Sequence, residues 1–321
     1  MRFNLVFAVG LLSGGLLHPT IGRAQDPSQP ATNLGLTNVL DGAPPGPGTY
    51  WFQYLQHYRA ARLTNGAGRR LGSASISTFL SLQQLVLIAR SRWLGGNPGI
   101  TVLLPVVSLN AAGEVAPGQP LRANPGALGD LVVGPNIQWF GRRLLGRPFL
   151  SRLELDALLP TGAYDAGYAV NPGANFFTLE PHYTFTWQLT ERLSTSQRHH
   201  YAYNFFNPGT DYRTGQLYHL NYALEYLLGK TFRLGVAGYY CQQLSDDERR
   251  GEADYFRRAF QLANTRERVL AAGPSLSLIT RGGLFVELKT ALETAAENRP
   301  EGFRTTCRFI YRFPDVTPPA P

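Results

Sequence analysis

The stretch Thr178-Leu179-Glu180-Pro181-His182-Tyr183-Thr184-Phe185-Thr186-Trp187-Gln188-Leu189 decides the fold. Leu179, Pro181, Tyr183, Phe185, Trp187 and Leu189 share one parity, and Thr178, Glu180, His182, Thr184, Thr186 and Gln188 share the other. Strand side chains alternate between faces, so this segment has one apolar and one polar side. A soluble sandwich strand alternates too, but it usually stops after about five or six residues. A longer run suits a strand that crosses a bilayer, with lipid on one side and a polar lumen on the other.

The pattern recurs in both directions. Tyr218, Leu220, Tyr222, Leu224 and Tyr226 alternate with His219, Asn221, Ala223 and Glu225; Phe303, Thr305, Cys307, Phe309, Tyr311 and Phe313 alternate with Arg304, Thr306, Arg308, Ile310 and Arg312. Leu153, Leu155, Ala157 and Leu159 interleave with Arg152, Glu154 and Asp156. Extended to the whole chain, the reading predicts twelve strands, at 48–62, 73–89, 100–109, 129–140, 150–159, 177–190, 196–206, 215–228, 231–244, 266–279, 284–293 and 302–313. The expected fold is all-β: a single antiparallel transmembrane β-barrel of about 12 strands, with ten and fourteen as the outer bounds.

Connections support this reading. Those after strands six, eight and ten are short, at Glu191-Arg192-Leu193, Gly229-Lys230 and Arg281-Gly282-Gly283, whereas those after five, seven, nine and eleven read as longer and polar. Short periplasmic turns and long external loops give that alternation, and an even strand count leaves both termini in the periplasm. The turns around 90–99 and 141–147 read longer than the pattern wants.

Composition excludes the competing classes. Only 16% of the 321 residues are charged while 12% are aromatic, which is too ordered a composition for a disordered chain and too poor in charge for a coiled coil. Two cysteines cannot build a disulfide scaffold. The net charge of +8 comes from arginines clustered in connections, at Arg69-Arg70, Arg142-Arg143, Arg249-Arg250 and Arg257-Arg258, where anionic lipid and lipopolysaccharide are the expected partners rather than nucleic acid.

The ends lie outside the barrel pattern. Arg2, the apolar run 5–17 and Gly22-Arg23-Ala24 read as a signal peptide cleaved after Ala24, the apolar part being shorter than the roughly 20 residues a spanning helix needs. Beyond it, the longest uncharged apolar run, 100–109, is interrupted by Pro105. Residues 25–47 hold Pro27, Pro30, Pro44, Pro45 and Pro47 and read first as an extended periplasmic leader, second as a plug threaded into the lumen. The barrel itself is expected over 48–313, followed by a Pro-rich tail at 314–321.

Catalytic and metal chemistry leave no motif. No His-Glu-x-x-His, Cys-x-x-Cys, Gly-x-Ser-x-Gly or phosphate-binding Gly-rich loop is present, and no outward-facing His has a Ser two residues on. Adjacent His199 and His200 would point to opposite faces, so a shared metal is not expected, nor is any cofactor. Cys241 is expected on the lumen face and Cys307 on the lipid face, too far apart to bridge, which predicts two free, buried cysteines.

Thirteen charged or titratable residues fall on the lumen face in this register: Asp130, Arg152, Glu154, Asp156, Glu180, His182, Glu225, Arg233, Glu287, Lys289, Arg304, Arg308 and Arg312. Mixed signs imply pairing among themselves, and any member left unpaired would line a permeation path. Arg304, Arg308 and Arg312 face the same way along about 27 Å of strand, as a basic ladder or as partners of Asp130, Glu154, Asp156 and Glu180. Aromatics at the outer end, among them Tyr164, Tyr168 and Phe176, are candidates for a solute-entry surface; the alternative is the interfacial girdle common to barrels.

Several segments in order carry a family resemblance. Gly129-Asp130 with Val133-Gly134-Pro135, then Leu159-Pro160-Thr161-Gly162-Ala163-Tyr164-Asp165, then Asn171-Pro172-Gly173 leading into Phe177-Thr178-Leu179-Glu180-Pro181-His182-Tyr183 resemble the phenol-degradation meta-pathway family of outer-membrane transporters. The likeness continues through Tyr203-Asn204, Asn207, Tyr212-Arg213-Thr214-Gly215 and Gly235-Val236-Ala237-Gly238-Tyr239-Tyr240 to Ser245-Asp246-Asp247. It implies an outer-membrane barrel, inserted by the barrel-assembly machinery, that takes up small hydrophobic or aromatic solutes without enzymatic activity. Such barrels usually end on the aromatic that closes the last strand; here that residue is Phe313, with eight residues after it. The competing expectation is a structural or surface-interaction barrel with a filled lumen and no transport.

Overall fold

The computed structural model describes residues 32–42 and 46–314. Twelve long strands form one antiparallel sheet: β1 (Gly48–Thr64), β2 (Ser75–Ile88), β3 (Asn97–Ala112), β4 (Leu131–Leu144), β5 (Arg147–Leu159), β6 (Thr178–Gln188), β7 (Leu193–Asn204), β8 (Leu217–Leu228), β9 (Phe232–Gln243), β10 (Arg268–Ile279), β11 (Phe285–Glu297) and β12 (Pro300–Arg312). Each pairs with its chain neighbours, and β12 returns to β1 from Tyr50↔Arg312 to Leu63↔Pro300. Closure removes the free sheet edges of the wall except along the upper part of β3, which extends beyond its pairing with β4. The twelve strands expected from periodicity each overlap one of these.

Alternation is what forms the wall. On β7, Ser194, Ser196, Arg198, His200, Ala202 and Asn204 are buried inward; on β8, Leu217, His219, Asn221, Ala223 and Glu225 are. Outside, Leu85, Leu87, Leu104, Leu153, Leu155, Leu224 and Leu234 are exposed around the wall. Such a belt is an unsupportable patch in water and the required surface in lipid. The fold is a transmembrane β-barrel.

At one end the connections are short: 89–96, 145–146, 189–192, 229–231 and 280–284. The other end carries 65–74, 113–130, 160–177, 205–216 and 244–267, the last with a short helix, Tyr255–Phe260. Two expectations are corrected. The turn near 141–147 is not long: β4 and β5 run into a two-residue turn, Leu145-Gly146, with φ of 51° and 76°, the positive pair that a tight hairpin requires. The connection after β11 is also only Asn298-Arg299. Beyond the membrane at either end both faces of a hairpin meet water, so the apolar alternation stops while the hydrogen-bonded ladder continues.

Residues 32–42 lie inside the lumen and not in a periplasmic leader. Leu34 packs with Ala202, Leu217 and Tyr239, Leu36 with Tyr50 and Tyr54, and Val39 with Ala223, Ala237 and Phe285. The segment has no ladder of its own, so wall side chains satisfy its backbone, as burial demands. Asn221 Oδ1 accepts from Gly35 N (2.9 Å), Lys289 Nζ donates to the Leu36 carbonyl (3.0 Å), and Arg308 Nη2 donates to that of Val39 (2.5 Å). Gly42 comes so close to the wall that a Cβ there would sit 2.2 Å from Thr186 N. The signal peptide and its cleavage site, residues 25–31, and 315–321 of the tail lie outside the described residues.

Candidate functional site: the lumen, its plug and the outer loops

Two ionic bands line the lumen. In the first, on β11 and β12, the Glu287 carboxylate accepts from Lys289 Nζ (2.8 Å) and lies 2.6 Å from Arg308 Nε. Glu293 accepts from Tyr58 Oη (2.8 Å) and Tyr239 Oη (2.7 Å), with Arg304 Nε 3.7 Å away and its guanidinium stacked over Tyr58. Arg304, Arg308 and Arg312 therefore make no unpaired ladder, and their partners are not Asp130, Glu154, Asp156 or Glu180. Glu287 stands directly opposite Arg308 in the β11–β12 register, and the nearest cross-strand charge wins. Arg312 is exposed at the short-turn end and donates to the Pro47 carbonyl (3.0 Å). Arg233 is half-buried beside Ser194 (3.2 Å), and Glu225 is buried within reach of Ser277 (3.4 Å).

The second band spans β5 to β8. Arg152, Glu154, Asp156, Glu180 and His182 are all buried inward. His182 Nε2 lies 3.4 Å from Glu154 Oε2 and 3.3 Å from Asp156 Oδ2, and Arg152 Nε lies 3.1 Å from Glu154 Oε2. Glu180 meets His200 Nδ1 at 2.6 Å and His219 Nε2 at 3.4 Å. The sequence reading missed His200 and His219 as lumen groups, although the alternation it used places both on the inward parity.

The plug is fastened by an ion pair. Asp41 accepts two bonds from Arg198, Nε at 2.7 Å and Nη2 at 2.6 Å, with both side chains buried. Burial pushes the Asp41 carboxyl up, but Arg198, with Arg308 and Arg152 behind it, outweighs that and holds it down at about 2. Asp41 was also missed, because a single acid in a Pro/Gly-rich segment carries no periodic signal.

Three polar residues within the family-like segments organise the outer loops. Asp130 precedes β4 and does not line the lumen: it accepts the N–H groups of Gly162 (2.8 Å) and Ala174 (2.7 Å), tying 113–130 to 160–177. Burial raises its carboxyl against those backbone bonds. Asn207 accepts from Gly209 N (2.9 Å) and donates to Tyr164 Oη (3.2 Å) and the Ala174 carbonyl (3.3 Å). Asp247 accepts from Gly215 N (2.9 Å) and Gln243 Nε2 (2.7 Å), and burial pushes it up to about 7 despite those donors.

The loop aromatics divide. Tyr164 is half-buried on Asn207, Tyr168 lies 5.7 Å beneath the Arg122 guanidinium, and Phe176 is fully buried, so it offers no face to a solute. Its neighbour Phe177 is exposed and sits beside exposed Phe205, Phe205 N donating to the Phe177 carbonyl (3.0 Å). Both continue the outward parity of β6 and β7, as a girdle does. Cys241 is free and buried in the lumen; Cys307 is free but only half-buried, because it faces outward.

Among solved structures, the chain is similar to an outer membrane channel from Pseudomonas putida F1, with a TM-score of 0.71 and 15% identity over 85% of this chain and 97% of that one. The beta domain of the Bordetella autotransporter BrkA (TM-score 0.46, 12% identity, 84% and 100% covered) and the KdgM porin (0.40, 10%, 82% and 99%) are more distant. No curated protein matches the chain in sequence. The family model described as "Putative MetA-pathway of phenol degradation" matches residues 60–309, and the chain belongs to that family.

Proposed function

We propose that the protein is an outer-membrane channel for small hydrophobic or aromatic compounds, with its lumen narrowed by residues 32–42. The observation that carries the reading is a break in the regular ladder between β3 and β4. The sixteen-residue strand β3 pairs with β4 only from Asn97 to Leu103, whereas the facing β2–β3 ladder runs from Ser75↔Ala112 to Ile88↔Gly99. Above Leu103 the gap is spanned by Val107 N donating to the Ala127 carbonyl (2.7 Å), Gly129 N donating to that of Pro105 (3.0 Å), and a bridge between Val106 and Leu128. Val106 and Leu128 are both exposed.

An apolar solute is held back by the polar lipopolysaccharide leaflet and is soluble in the lipid beneath it. A stretch of wall held by a few loop contacts rather than a continuous ladder, with Val106 and Leu128 exposed on it, suits sideways passage between the barrel mouth and that lipid better than a polar lumen does. Family membership supports the aromatic class, since the family is described by its part in phenol degradation. Outer-membrane lipid, lipopolysaccharide and the assembly machinery are the partners this location brings.

The second reading, a structural barrel without transport, draws on the filled lumen. Uptake of dilute labelled solutes separates the two: cells lacking the protein should accumulate a neutral aromatic more slowly than wild type. Unchanged rates across aromatic, aliphatic and charged solutes would favour the structural barrel. If the outer aromatics serve entry, Tyr164→Ala with Tyr168→Ala should reproduce part of the defect without reducing inserted barrel.

A further inference from the structure

One transverse row of the lumen wall is built of metal-ligating residue types. Asn136, Glu154, His182, His200, His219 and Cys241 stand opposite one another in register across β4 to β9. Asp156 and Glu180 face each other one step along the same strands. The imidazoles of His182, His200 and His219 follow one another at ring distances of 4.7 and 4.1 Å. Every one of these side chains is buried.

We propose that Glu154, Asp156 and His182 bind a divalent first-row metal ion, for which Zn2+ is the probe. The donor spacing is the first argument. Metal bonds of about 2.0–2.2 Å arranged tetrahedrally put the donors about 3.3–3.6 Å apart. His182 Nε2 stands 3.4 Å from Glu154 Oε2 and 3.3 Å from Asp156 Oδ2. His182 Nε2 is buried without a hydrogen-bond partner, and Glu154 Oε2 is met otherwise by the Arg152 guanidinium, 3.1 Å away. Buried polar atoms are almost always satisfied, so an unsatisfied imidazole nitrogen aimed between two carboxylates indicates a ligand among the three.

Charge is the second argument. Glu154, Asp156 and Glu180 are three buried carboxylates, and Arg152 is the guanidinium beside them, because Arg198 is engaged by the two bonds it donates to Asp41. The band is left with two negative charges that a divalent ion neutralises. Shape is the third. Gly134 on β4 faces the acids, and a Cβ there would lie 2.0 Å from Asp156 Oδ1, so the glycine leaves the cradle open. Asp156 is the most accessible of the three ligands, which leaves a coordination position for water on the lumen side. Oxygen and nitrogen donors without thiolate suit Zn2+, Mn2+ or Fe2+ rather than a soft ion.

The site gives the band a function that proton binding alone does not: it clamps β5 to β6 beside Arg198, the residue that fastens the plug. The glutamate of the flanking set, Glu180, is already engaged by His200 and His219, and those rings orient it without joining the metal.

Full-length protein refolded in detergent and stripped with chelator tests this by titration with Zn2+ against a chromophoric competitor, and with Co2+ read by visible absorption. We expect one ion per chain, bound at about micromolar Kd or tighter, with a four-coordinate Co2+ spectrum. His182→Gln and Asp156→Asn should each weaken binding by at least about tenfold, while His200→Gln and His219→Gln keep one ion per chain. Heat-dependent gel migration confirms that each variant is folded, and the wild-type Co2+ spectrum stands even if one variant is not. Wild-type protein that binds no ion, leaving the band neutralised by protons, would overturn the proposal. So would binding lost with His200 and His219 but kept without His182, or binding equal in wild type and both ligand variants, which marks surface histidines.

Discussion

Asp41 is the residue on which the plug depends. Removing one partner of a buried pair leaves the other charge uncompensated, at a cost of about 3–5 kcal/mol. Asp41→Ala strands Arg198, and the expected outcome is faster protease cleavage within 32–42 and a larger single-channel conductance, with the barrel still inserted. The pairing also sets an acid limit. A carboxyl held near 2 contributes stability above its usual range near 3.8, lost as pH falls through about 2. Protection of 32–42 from protease should therefore persist on acidification to about pH 4.

Asp247 behaves in the opposite sense. Its folded carboxyl is raised to about 7 from 3.8, so the loop holds a proton that the unfolded chain releases. The stabilisation is complete below about pH 4 and is lost as pH rises through about 7. Amide exchange over 244–249, corrected for intrinsic rates, should quicken between about pH 5 and pH 8, and Asp247→Asn should flatten that dependence. Neither role is legible at the level of one residue in the sequence. Parity places Glu154, Asp156 and His182 in the lumen, but it says nothing of what stands across the barrel or of a buried segment with no periodicity.

Among the elements, the break in the β3–β4 ladder makes the sharpest prediction. Val106 and Leu128 form a bridge across it. With Cys241 and Cys307 replaced by serine, a disulfide between Val106→Cys and Leu128→Cys should lock the loop contacts that span the break and slow aromatic uptake, with recovery on reduction. Equal uptake in both redox states would mean that solutes do not pass there.

The last strand makes another. Phe313 N donates to the Thr49 carbonyl (2.9 Å), and the ring meets Tyr311 edge-on at 5.4 Å. Phe313→Ala should lower inserted barrel far more than deletion of 314–321; equal losses would mean the closing signal lies in the tail. Strand positions were legible because lipid imposes a strict alternation on one face. Register was not: the β6–β7 turn was centred one residue late, and with 189–192 as the turn His182 falls opposite His200. Loops and strand ends beyond the membrane on either side were misjudged where water on both faces erases the pattern.

At the scale of the whole molecule, a twelve-stranded wall lies between small barrels packed with side chains and wide aqueous pores. Here the interior is filled partly by paired charges and partly by 32–42, which is held through side-chain bonds to its backbone and through Asp41 rather than by a ladder. A segment held that way can leave without breaking the wall, which is why the filled lumen and a channel are compatible. Single-channel recording of refolded protein, intact and lacking residues 33–42, tests this most directly. The channel account predicts a small conductance for the intact chain and a several-fold larger one for the deletion, both heat-modifiable and correctly inserted. Two inserted, folded barrels that conduct equally poorly would contradict it.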